Sequence, residues 1–129
     1  MSRISERGAA AVEFAIVVPL LVMLLLGIME FSRVYNAQSE LSAAAREGVR
    51  VLTVTGNQTT ARTAAKSVAV SLNPGLQDSN FSFGAPCPST VSAGTSPQAT
   101  ITITYSLSTL TGIAGPFTMT GKGTMLCGG

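Results

Sequence analysis

The sequence predicts an α+β fold: a long N-terminal helix that begins in a membrane, then a second helix and a small antiparallel sheet. Three observations carry this. Phe14 to Met29 is a run of sixteen residues without a charge. A helical apolar period continues beyond that run to about residue 72. From Asn80 onward the apolar period shortens to two. With 129 residues there is room for one compact domain and one extended element.

The first element is the membrane segment. Extended back to Ala9, the apolar run reaches about twenty-one residues, interrupted only by Glu13, and at 1.5 Å per residue this is roughly 30 Å, the thickness of a hydrocarbon core. A secretory signal peptide would place a small-x-small site just after the run, whereas here it leads into Met29-Glu30-Phe31-Ser32-Arg33. Arg3 and Arg7 precede the run and lean towards a cytoplasmic N-terminus, with the C-terminal part outside. The expected layout is residues 1–8 before the span, 9–30 within the bilayer, 31–54 as the outer part of the same helix and 55–129 as an α+β head. Pro19 and Gly27 read as a tolerated kink and a close-packing residue.

Beyond the bilayer Val34, Ala37, Leu41, Ala44, Ala45, Gly48 and Leu52 share an arc of about 100°, with Asn36, Glu40, Arg46, Glu47 and Arg50 on the remainder. From Ala9 to about Val54 the helix would count some forty-six residues, on the order of 70 Å. Thr55-Gly56-Asn57 reads as a turn. Ala61, Ala64, Ala65, Val68 and Leu72 then predict a second amphipathic helix ended by Asn73-Pro74-Gly75, with Arg62 and Lys66 on a solvated face. Phe81 and Phe83 alternate with serines, and Thr100 to Leu107 alternates as a half-buried strand. Phe117, Met119, Gly121, Met125 and Cys127 suggest either one long bent strand or a hairpin around Gly121-Lys122-Gly123. The loop from Ala85 to Gln98, rich in Pro, Ser, Thr and Gly, reads equally as a contact surface or a solvated connection.

Composition narrows function. With no histidine, imidazole-dependent nucleophile activation and most transition-metal sites are excluded. The last fifty-one residues carry one charge, Lys122, so no acid/base pair is available there. Neither a P-loop nor a dinucleotide fingerprint occurs, and no cofactor is implied. Eight scattered Lys and Arg without a Trp give no footprint for nucleic acid. The expectation is a protein that is not an enzyme. Cys87 and Cys127, an even pair on the outer side of the membrane in a small head, point to a disulfide.

Glu13 is the residue that needs a reason, since a carboxylate inside an apolar helix costs on the order of 2 to 4 kcal/mol without a partner. Either it snorkels to the headgroups, or it meets an amine. Arg7-Gly8-Ala9-Ala10-Ala11-Val12-Glu13-Phe14 resembles the processing motif of Flp-type (type IVb) prepilins. The continuation through Pro19, Gly27, Glu30 and Arg33, with the Ala-Ala-Arg-Glu-Gly run at 44–48, is similar to TadE-like proteins of the tight-adherence (Tad) pilus system. The resemblance covers about residues 7 to 50. It implies that a prepilin peptidase cuts between Gly8 and Ala9, freeing the α-amino group of Ala9 one helical turn from Glu13. Glu13, followed by Phe14, is then the determinant of subunit assembly.

The partners implied are other pilin subunits through the N-terminal helix, the peptidase, the Tad membrane assembly platform and the lipid bilayer. Because some eighty residues follow the helix, the resemblance suggests a minor pilin or pseudopilin with a pilin-like head, acting in pilus assembly, adherence or secretion. A major pilus subunit, or a membrane-tethered extracytoplasmic binding module outside any filament, are the alternatives.

Overall fold

The computed structural model describes residues 2–128. Its elements follow the chain as α1 (Ser2–Thr55), α2 (Gln58–Val68), a single 3₁₀ turn (Asp78–Asn80), and strands β1 (Phe81–Phe83), β2 (Gln98–Leu107) and β3 (Phe117–Leu126). The fold is α+β, as the two hydrophobic periods predict. Two compact units divide the chain, Met1–Arg33 and Val34–Gly129.

The first unit is helix alone. From Glu6 to Met29 no residue is buried, although the stretch is apolar and long enough to cross a membrane. Pro19 sits inside α1. Its missing N–H removes one helical hydrogen bond, a loss that neighbouring residues absorb in membrane helices. Arg33 and Glu30, one turn apart, approach to 3.7 Å.

In the second unit the core is built on the predicted stripe of α1. Ala37, Leu41, Ala44, Ala45 and Leu52 are buried, and so are Gly48 and Val49. Small residues let the neighbours come close. A Cβ added at Gly48 would meet Ile101 Cδ1 at 3.1 Å and Ala65 Cβ at 3.2 Å, so α1, α2 and β2 converge at that glycine. α1 closes where Gly56, at φ +66°, donates its N–H to the Leu52 carbonyl at 2.8 Å, a left-handed cap suited to glycine. The Asn57 side chain accepts from the N–H groups of Thr59 and Thr60 at 2.8 and 3.2 Å and so starts α2.

α2 stops at Val68, four residues short of the expected Leu72. Ala69 still donates to Ala65 O at 3.3 Å, but its backbone has left the helical region. Leu72 remains in the core, as does Leu76 beyond it, so the helical spacing of Leu72 reports burial and not helix. The Tyr105 hydroxyl donates to the Pro74 carbonyl at 2.8 Å, a bond that ties this non-helical segment to the sheet.

The sheet has the order β1-β2-β3, antiparallel throughout. β2 presents Ile101, Ile103, Tyr105 and Leu107 inward, as its alternation requires. β3 is one strand paired with β2 in a constant register from Gln98↔Leu126 to Leu107↔Phe117, so the hairpin alternative around Gly121-Lys122-Gly123 is corrected. Those glycines are not a turn. A Cβ on Gly121 would lie 2.5 Å from the Leu41 carbonyl oxygen, and one on Gly123 would lie 2.3 Å from that of Ala45. They are bare because α1 lies against the strand backbone.

Candidate functional site

The residues singled out for processing and assembly lie on one helix. Gly8, Ala9, Glu13 and Phe14 are exposed, and space around Gly8 is open, with nothing within 4 Å of an added Cβ. Ala9 and Glu13 are four residues apart, one above the other on a helical face, about 6 Å along the axis. Among the described residues the Glu13 side chain has no ion pair or hydrogen bond. Around it Val12, Phe14, Ile16 and Val17 all point outward. Further along, Val17, Leu20, Leu21 and Leu24 line a shallow, wholly apolar notch beside Pro19. Such a surface binds by packing and carries no groups for chemistry.

Cys87 and Cys127 are bonded to one another, with Cα atoms 5.6 Å apart. Cys127 is buried next to the sheet, and its N–H donates to the Pro97 carbonyl at 2.8 Å. The bond therefore ties the 85–97 loop to the end of β3.

Polar contacts in the second unit are structural. Lys66 and Asp78 pair at 2.5 Å, and the lysine's hydrogen bond and charge hold the Asp78 carboxyl below its usual value, with Arg62 adding to the effect. Arg62 is not on a free solvated face. Its guanidinium carbon sits 5.0 Å from the centre of the Phe83 ring, a cation–π geometry. The contact joins α2 to β1 across about twenty residues of chain, a long-range pairing that helical spacing does not reveal. Glu47 and Arg50 form a two-pronged pair at 2.9 and 2.7 Å, which lowers the pKa of Glu47 and raises that of Arg50. Glu40 accepts from the Ser71 hydroxyl.

Three features escape sequence reasoning: the two close-packed glycines of β3, the Arg62–Phe83 contact and Val49 in the core. Only the first has a local signal. Met119, Gly121 and Gly123 share one face, while Lys122 points the other way, an alternation that continues the strand and contradicts a turn.

A family model described as TadE-like protein matches residues 8–50. This stretch of the chain is TadE-like. It takes in Gly8, Glu13, the apolar run and the Ala-Gly stripe of α1 on which the core of the second unit is built. Similarity to this family suggests a protein associated with the Tad pilus. No curated protein and no solved structure matches the chain.

Proposed function

We propose that this protein is a minor pilin or pseudopilin of a Tad/Flp-type pilus, anchored N-in and C-out as a single-pass protein, and that a prepilin peptidase removes residues 1–8 before the anchored chain enters the filament. The observation that carries the reading is the uncovered stem. An apolar helix whose side chains from 6 to 29 are all unburied needs lipid before assembly and other stems afterwards. Cleavage after Gly8 leaves the new amine of Ala9 one turn from Glu13. A carboxylate that is costly in lipid thereby acquires a partner, on its own chain or on a neighbouring subunit. The stem meets the other pilins and the Tad assembly platform, and the head supplies the surface displayed outside, in adherence or secretion. The TadE-like stretch supports the association with the pilus, and the exposed Gly8 supports access for a peptidase.

N-terminal sequencing of the protein purified from its native host tests the processing step. The expected mature chain begins at Ala9, and Gly8→Ala leaves the full chain uncut. Glu13→Ala is expected to be processed normally and to reduce surface piliation. An intact residue 1–8 segment on the native molecule would instead make it a tethered outer-face module.

A further inference from the structure

The loop between β2 and β3, residues 108–116, exposes large apolar side chains. Ile113 is 89% exposed and Leu110 57%, and Phe117 follows on the first position of β3. No charged residue occurs between Ser79 and Gly121. The loop is also shaped from within: the Thr109 hydroxyl donates to the Ala114 carbonyl at 2.9 Å and accepts from the Gly112 N–H at 3.1 Å, which lowers the cost of taking backbone out of water.

Its position follows from the register of β3 against α1. The Gln38 side chain donates to the Thr120 carbonyl at 3.0 Å. Gly121 then lies against Leu41 and Gly123 against Ala45, and the Thr53 hydroxyl reaches the Met125 sulfur at 3.4 Å. Strand and helix therefore advance in the same direction, about 17 Å of strand against about 22 Å of helix. The Phe117 end of β3, and with it the 108–116 loop, is at the Val34 end of the unit. That end is the one joined through the chain to the apolar run. Met29 and Val34 are five residues apart, a reach of at most about 18 Å. Tyr35, also exposed, adds an aromatic of the kind enriched at membrane–water boundaries.

We infer that the 108–116 loop is a second membrane contact, inserting Leu110, Ile113 and Phe117 into the interface of the outer leaflet while the protein awaits assembly. An uncharged loop with protruding apolar tips fits a lipid interface, and its placement beside the point of attachment selects lipid over a soluble partner. The inference rests on the single-pass reading proposed above.

The chain contains no tryptophan, so one introduced indole reports alone. Full-length Leu21→Trp, Ile113→Trp and Val54→Trp variants are reconstituted at low protein-to-lipid ratio into phosphatidylcholine vesicles with or without lipids brominated on the upper acyl chain. Leu21→Trp reports the span, and Val54→Trp, at an exposed position near the opposite end of the head, reports water. Ile113→Trp is expected to emit at shorter wavelength than Val54→Trp and to lose most of its emission to the brominated lipid, with Val54→Trp quenched by aqueous acrylamide only. If Ile113→Trp behaves like Val54→Trp while Leu21→Trp is quenched by lipid, the loop contact is wrong and the span stands. Protection of Ile113→Trp from acrylamide without lipid quenching assigns the loop to a protein neighbour and also overturns the inference. An unquenched Leu21→Trp removes the single-pass reading itself, and the loop contact with it.

Discussion

Single atoms decide how close the strand and helix of the second unit come. On β3 an alanine at Gly123 would drive its Cβ to 2.3 Å from the Ala45 carbonyl oxygen and to 3.1 Å from Val49 Cγ1, and one at Gly121 would meet Leu41 O at 2.5 Å. Backbone cannot yield as a side-chain tip can, so each substitution is expected to cost at least the ~3 kcal/mol at the upper end of overpacking effects. Gly48→Ala is different. Its closest contacts lie at 3.1 to 3.4 Å, one of them the tip of Ile101, and the gain of about 1 kcal/mol in helix propensity offsets the crowding. It is expected to shift stability by no more than about 1 kcal/mol. Gly115→Ala, with open space and no positive φ, is the neutral reference. Denaturant unfolding of the full chain in detergent, followed by circular dichroism, ranks the four. These contacts also explain the ambiguity of Gly121-Lys122-Gly123 in the sequence. Two glycines around a lysine carry the composition of a turn, and only the approach of α1 shows that they are bare for packing.

Among the elements, those governed by local chemistry are legible in the chain. The α1 stripe from Ala37 to Leu52, the Gly56-Asn57 break and the alternation of Ile101, Ile103, Tyr105 and Leu107 all lie where periodicity puts them. Where tertiary contact overrides period, reading by period fails: Leu72 keeps helical spacing yet lies beyond the end of α2, in the segment held by Tyr105, and Arg62 turns from solvent to the Phe83 ring. Two bonds between elements are open to test. Cys87 and Cys127 close a loop with a sequence separation of 40. The Cys87→Ser, Cys127→Ser double variant is expected to lose about 3 to 4 kcal/mol by chain entropy, read as a lower denaturation midpoint that added reductant no longer changes. The Lys66–Asp78 pair links α2 to the turn before β1. Because the folded carboxyl is held below its ordinary 3.8, the pair's contribution is complete above that pH and is lost as the pH falls through the lowered value. Asp78 is largely open to solvent and Lys66 half-buried, so the effect is small. Asp78→Asn is expected to flatten the acid side of a melting-temperature profile below about pH 4 and to leave the neutral side with a small, constant loss.

At the scale of the whole molecule, folding and anchoring are written into different stretches of one chain. Among the described residues every buried apolar residue, from Ala37 to Cys127, falls within Val34–Gly129, while the large apolar side chains from Val12 to Met29 are exposed, Val18 apart, which is half-buried. A chain reduced to residues 34–129 and made in an oxidising compartment is therefore expected to fold on its own, with a cooperative melt and the disulfide formed. The same separation fixes what Glu13→Ala does. Glu13 has no partner among the described residues and lies in the other unit, so its removal leaves the melting of the head unchanged. If the carboxylate acts between subunits after the Ala9 amine is exposed, the loss appears only as fewer assembled filaments. Lysine at position 13 should impair assembly more than alanine, since it adds like-charge repulsion with the new amine. A parallel drop in head stability for Glu13→Ala would show that the stem is part of the folding unit, and would move the effect of the substitution from assembly to folding.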